Sequence, residues 1–138
     1  MTGKEYIYMI CNNTVQLPEY RLFSWHIPKP LNIDLMKTTA ASFVGTRDFS
    51  PYTNKRADAP YTCTKRTLYS ATITPLNNHR VQISLIGNHF LYKMARNLVG
   101  KIVNKNICAP AHGLTLNRVF YSDILSPHDR TQRSMLLR

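Results

Sequence analysis

Hydrophobic periodicities in the order strand, helix, two strands, helix, strand predict an α+β fold, a mostly antiparallel sheet with its helices packed on one face. Three observations carry this expectation. Apolar residues alternate with period two in residues 4–11, 67–74, 80–86 and 113–121. They recur at helical spacing after Asn32 and again over residues 90–103. The chain, 138 residues with 43% hydrophobic content, is the size of one domain and can bury a core without disulfide or metal staples.

The first strand, residues 4–11 (KEYIYMIC), puts Tyr6, Tyr8 and Ile10 on one face and Ile7, Met9 and Cys11 on the other, ending at Asn12-Asn13. A strand so near the beginning needs neighbours at once, which predicts residues upstream. Residues 17–31 hold three prolines, Pro18, Pro28 and Pro30, around Phe23 and Trp25, and read as an extended loop. Asn32 is the expected N-cap of a helix whose apolar side is Ile33, Met36, Ala40, Phe43 and Val44, with Asp34 in its first turn and Gly45 as its stop. Residues 46–62 are polar and read as loop. The strands at 67–74 and 80–86 are joined through Asn77-Asn78, which suits a hairpin. In the helix predicted over 90–103, Leu91, Met94, Ala95, Leu98 and Ile102 form one stripe, with Lys93, Arg96, Asn97 and Lys101 off it. The last strand sets Leu114, Leu116 and Arg118 against Thr115, Asn117 and Val119. A domain at 4–121 and a basic, loosely ordered tail at 122–138 complete the expected organisation.

Eighteen Lys and Arg against seven Asp and Glu leave a formal charge of +11. Such a surplus concentrates anions and makes nucleic acid the leading partner class, the bland alternative being a basic surface that serves only solubility. Cys11, Cys63 and Cys108 are widely spaced, without a Cys-x-x-Cys or paired histidines, so no zinc site is expected. No run of about 18 apolar residues is present. Residues 1–5 enter the first strand without an apolar signal region, which predicts a soluble, cytoplasmic protein of a reducing compartment, with no membrane partner.

The most informative stretch is residues 87–100, GNHFLYKMARNLVG. It joins a strand end to a helix and fixes Arg96 off the apolar stripe, near the sheet. Alone, Arg96 reads as a solvated helix arginine, Tyr6 and Leu114 as core, and Lys65 and Arg66 as either phosphate contacts or exposed charges.

That stretch resembles the Gly-Asn-x-Phe-Leu-x-x-Met-Val-Arg-Asn-Ile-Val-Gly motif of the tRNA pseudouridine synthase A family, with Ala95 standing where valine is usual. Three further segments are similar to the family's in the same order: Lys4-Glu5-Tyr6-Ile7-Tyr8; Trp25-His26-Ile27-Pro28-Lys29-Pro30-Leu31 with the later Phe43-Val44-Gly45-Thr46-Arg47-Asp48-Phe49-Ser50; and Ala109-Pro110-Ala111-His112-Gly113-Leu114-Thr115-Leu116. The resemblance implies a C-terminal, pseudouridine-synthase-like half acting on uridines of the tRNA anticodon arm, without cofactor or metal. It implies that Tyr6 lies against the target base, that Leu114 and Phe90 line the substrate pocket, and that Arg96 pairs with a catalytic aspartate through two parallel hydrogen bonds. Lys65, Arg66 and Lys93 are the expected phosphate contacts.

The family's aspartate lies in a Gly-Arg-Thr-Asp-x-Gly-Val-His motif that is missing from these 138 residues. Gly45-Thr46-Arg47-Asp48 is close in letters but belongs to the Val-Gly-x-x-Asp-Phe-Ser segment, so Asp48 is not assigned as nucleophile. Relatives carry an additional helical segment before the Ala-Pro motif, where here only residues 104–108 intervene, predicting less packing on the second helix and less basic surface. The expected partners are tRNA and either an N-terminal half or a second copy. The competing readings are a non-catalytic RNA-binding remnant and a basic domain recruited for protein contacts.

Overall fold

The computed structural model describes residues 2–15, 18, 22–53, 63–105 and 107–120. The tail at 122–138, Tyr121 and most of the loop at 46–62 therefore lie outside the described residues. β1 (Gly3–Cys11) runs through the middle of a six-stranded sheet. On one side it pairs antiparallel with β5 (Arg80–Gly87), which pairs with β4 (Lys65–Pro75), which pairs with β3 (Gly45–Asp48). On its other side β1 carries β6 (Leu114–Phe120) antiparallel along residues 3–8, and the two-residue β2 (Trp25–His26) parallel at Ile10 and Cys11.

Register explains the core. Opposed residues of an antiparallel pair share a face, so the pairs Tyr6↔Leu85, Tyr8↔Ile83 and Ile10↔Val81 line up with Ile73 of β4. All but the half-buried Tyr6 are buried. That face carries both helices. α1 (Ile33–Ser42) begins where the Asn32 side chain accepts a hydrogen bond from Leu35 N at 3.1 Å, and it buries Met36 and Ala40. α2 (Met94–Ile102) buries Met94, Ala95, Leu98, Val99 and Ile102 into the same cluster. The expected α+β layer is thus present, and its one parallel pairing, among the described residues, is β1 with β2.

Three expectations need correction. The stretch at 17–31 is not wholly loop, because β2 extends the sheet there; two residues are too few to show a period. Similarly, 46–62 contains the exposed edge strand β3, followed by a 3₁₀ turn at Ser50–Tyr52. With β3 residues exposed or half-buried, no apolar alternation marks it. The second helix starts at Met94 rather than at residue 90. Residues 91–93 form a turn closed by Met94 N donating to Leu91 O at 3.0 Å, and Lys93 adopts φ 59°. A left-handed lysine costs roughly 1–2 kcal/mol, and it ends any helix running through it. The hairpin between β4 and β5 turns where expected, with Asn78 and His79 both at positive φ as a mirror-image turn demands.

The short connection after α2 is closed by the helix itself. Asn104 takes φ 61°, its N–H reaches Lys101 O at 3.0 Å and Lys105 N reaches Gly100 O at 2.8 Å, the pair of bonds of a Schellman end. Ile107 O then crosses so close to Gly100 that no Cβ fits there. The returning chain donates Ala109 N to Arg96 O at 3.1 Å.

On the opposite sheet face Glu5 is buried, and Arg118 Nε donates to its Oε1 at 2.7 Å. Asn117 donates to the same oxygen at 2.7 Å and the Ser84 hydroxyl to Oε2 at 2.7 Å. A register shift in β6 opposite Glu5 and Tyr6 brings both Asn117 and Arg118 to one carboxylate.

Candidate active site

Tyr6 from β1, Phe90, Tyr92 and Lys93 from the turn before α2, Arg96 from α2 and Leu114 at the head of β6 line one solvent-open cavity of about 220 Å³. Pockets for drug-sized ligands span roughly 300–1,000 Å³, so this one suits a single flat ring. Its floor is apolar, with Leu91, Met94 and Ala95 buried beneath it.

Each side chain is held by a different device. The Tyr6 ring meets Phe90 edge to face, centroids 4.9 Å apart at 79°, which fixes the phenol's direction. Its hydroxyl makes no hydrogen bond to a described residue. Burial pushes the Tyr6 phenol above its ordinary value of 10.0, so it is a neutral donor at neutral pH. Leu114 is placed by pairing with Tyr8. Tyr8 in turn donates its hydroxyl to Pro110 O at 2.7 Å. Its ring lies against Gly113, where an added Cβ would stand 2.7 Å from Cζ. The chain segment leading into Leu114 is therefore clamped onto the core. Burial raises the Tyr8 phenol far out of the titrating range, with the Arg96 charge opposing it.

Arg96 is the site's distinctive group. Its Nε donates to Ala109 O at 2.7 Å, and with the reciprocal backbone bond this ties α2 to the Ala-Pro segment. Its two terminal nitrogens have no hydrogen-bond partner among the described residues. No carboxylate lines the cavity. Of the described acids, Glu5 is committed to Arg118, and Asp34 lies in the first turn of α1. Asp48 accepts from Ser50 N at 2.9 Å and from the Thr64 hydroxyl at 2.5 Å. Hydrogen bonding from Thr64 and Ser50 holds Asp48 below its ordinary range, a turn-stabilising role. A guanidinium fixed by Nε and open at both terminal nitrogens is shaped to receive one carboxylate or phosphate in two parallel bonds.

The structure thus brings together Tyr6, Phe90, Lys93, Arg96 and Leu114. Lys65 and Arg66 do not line the cavity; they open β4, opposite Asp48 and Arg47 on the β3 edge. Arg66 donates there to Cys63 O at 2.9 Å and Lys65 O at 2.8 Å. Sequence reasoning missed Tyr8 and Ala109 as positioning groups. A backbone carbonyl leaves no signal in side-chain pattern, whereas the Tyr8–Gly113 contact could have been sought in the pairing of a strand tyrosine with a glycine at a strand start. No group of three or more His, Cys, Asp or Glu side chains able to hold a metal occurs among the described residues. None of their helices is long and apolar enough to cross a membrane.

Comparison with known proteins bears on the same elements. The family model described as tRNA pseudouridine synthase matches residues 39–107. The chain is 38% identical to tRNA pseudouridine synthase A 2 of Protochlamydia amoebophila (strain UWE25), using 86% of this chain and 54% of the relative. It is 41% identical to tRNA pseudouridine synthase A of Thermoanaerobacter sp. (strain X514), using 72% and 39%. Against the enzyme of that name from Chlamydia felis (strain Fe/C-56) the identity is 34%, using 86% and 52%. The chain spans about half the length or less of these curated relatives. Because the matched stretch carries α2 with Arg96 and the paired strands beneath it, this chain belongs to the tRNA pseudouridine synthase family.

Proposed function

We propose that this chain forms one half of a site that isomerises uridine to pseudouridine in the anticodon arm of tRNA, in the cytoplasm. Its relatives carry the name of that activity. The observation that carries the reading is the Arg96 guanidinium, anchored through Nε with its terminal nitrogens unengaged among the described residues, beside the Tyr6 phenol in one ring-sized cavity. Access requires the base to leave its stack. Tyr6 and Phe90 then hold the extruded base, Leu114 closes the apolar side, and Lys93 meets a flanking phosphate. Arg96 receives the catalytic aspartate, orienting it and balancing its charge. In the reaction the N1–C1′ glycosidic bond breaks, a C5–C1′ bond forms, the C5 proton leaves and N1 takes one up, so atoms and electrons balance without a redox partner.

The aspartate comes from polypeptide outside these 138 residues, an N-terminal half or a partner chain, since the Gly-Arg-Thr-Asp motif does not occur in them. That same absence favours the second reading, a non-catalytic RNA-binding remnant. The test is pseudouridine formation on unmodified tRNA. The purified chain alone yields none, and adding the N-terminal half of a relative that carries the motif yields product. Product from the chain alone overturns the divided site. Salt-sensitive tRNA binding without rescue by the added half establishes the remnant, and absence of binding at low salt leaves only a protein-contact role.

A further inference from the structure

The cavity is not the only concavity on the surface of α2. A second runs from the middle of the helix at Asn97 to its last turn at Lys101 and reaches Ile107 and Cys108. A third, of about 260 Å³, lies past its C-terminal end and is lined by Trp25, Pro28, Lys29, Lys105 and Ile107 among others. Thr53 of the middle groove bonds Tyr92 O of the cavity at 2.7 Å, and Ile107 is shared by the middle and last grooves. The three are therefore neighbours in a row.

The last groove combines two chemistries. Lys29 and Lys105 are exposed on it, and no acid is among its lining residues. Ile107 stands 55% exposed between the grooves, the buried Trp25 and Ile27 lie beneath the last one, and the exposed Pro28 forms part of its wall. Single-stranded nucleic acid is held by grooves in which cations track the phosphates beside a surface that takes the bases, and here the lysines supply the first while Ile107 and Pro28 offer apolar contact for the second. The Schellman end at Asn104 and the close pass over Gly100 fix Lys105 and Ile107 in place.

We propose that this groove seats the RNA strand that leads away from the nucleotide whose base occupies the cavity, with Lys29 and Lys105 each contacting a phosphate. The inference rests on the RNA-binding part of the function proposed above and extends it to a second, distant anchor. The nine residues of α2 span about 14 Å at roughly 1.5 Å per residue. At about 3.4 Å per stacked nucleotide the groove lies on the order of four nucleotides from the target. The short connection after α2 thus builds a nucleic-acid surface of its own.

The test uses the full 138-residue chain, an unmodified tRNA transcript and fluorescence anisotropy over a salt series. Each lost phosphate contact lowers the slope of log affinity against log salt by roughly 0.7 for single strands to 0.9 for duplex. Lys29→Gln with Lys105→Gln together is expected to lower it by about 1.4 to 1.8, while Lys37→Gln on exposed α1 leaves it unchanged. A slope unaltered in the double variant but lowered by Lys93→Gln overturns the second anchor and leaves the cavity reading intact. No binding by the parent chain overturns both. A double variant that changes the sedimentation of the chain and not its salt slope makes the groove a protein interface, and that too overturns the proposal.

Discussion

Arg118 and Arg96 sit on neighbouring parts of one small fold and are used in opposite ways. Arg118 spends its Nε on Glu5, whose carboxylate is completed by Ser84 and Asn117, so that charge is satisfied within the fold. Arg96 spends its Nε on a backbone carbonyl and turns its remaining donors toward a cavity that holds no acid among its lining residues. A charge neutralised at home contributes to stability. One that is anchored but left without a counter-charge is available for a ligand or a partner's carboxylate. Both arginines are conventional in sequence, and only their surroundings separate them.

The largest effect that would break this contrast is catalytic. In the protein completed with an N-terminal half, Arg96→Lys keeps the charge and loses the fork, and is expected to reduce turnover by about 10²–10³, read from pseudouridine formation. A change smaller than threefold would place Arg96 with Arg118 as a structural residue. Next is stability. Glu5→Gln removes the carboxylate under three donors and is expected to lower unfolding stability by roughly 2–3 kcal/mol, below the cost of breaking a fully buried pair because the Arg118 side chain is 31% exposed. The urea midpoint checks it. Gly113→Ala presses a methyl against the Tyr8 ring, which its bond to Pro110 keeps from retreating. A cost of about 1–2 kcal/mol is expected, with weaker tRNA binding as Leu114 shifts.

The smallest effect is a pH dependence confined to the Arg118 side of the comparison. Burial alone would raise Glu5, but hydrogen bonds from Arg118, Ser84 and Asn117, with the Arg118 charge, outweigh it and hold the carboxyl below its ordinary 4.5. A lowered folded value contributes stability that is complete above about pH 4.5 and is lost as pH falls through the folded value. Wild type should therefore lose stability in that acid window more steeply than Glu5→Gln, measured by denaturant midpoints at successive pH values.

What the sequence discloses follows the same division between pattern and surroundings. β1, β4 and β5 are legible because each sends buried apolar residues into the core, and β6 because its sequence keeps period two although none of its residues is fully buried. The start of α1 is legible because Asn32 caps it with its own side chain. β2 and β3 are too short or too exposed to leave a period. The true start of α2 is masked because Phe90 and Leu91 continue the apolar stripe through a turn that only the left-handed Lys93 backbone interrupts. At the site, Tyr6, Arg96 and Leu114 stand out through the order of four motifs, not through any single residue's chemistry. Their clamp, by contrast, is made of the Ala109 and Pro110 carbonyls and the space over Gly113, none of which side-chain identity records.

The claim that Tyr6 and Arg96 serve one base-receiving cavity is tested most directly by photocrosslinking. A tRNA carrying 4-thiouridine in the anticodon arm is bound to the 138-residue chain, irradiated, and the attached peptides are identified by mass spectrometry. Attachment at Tyr6, Phe90 or Leu114, lost when Tyr6 is changed to alanine, is the expected result. Attachment confined to α1 or to the Lys65–Arg66 edge would contradict it.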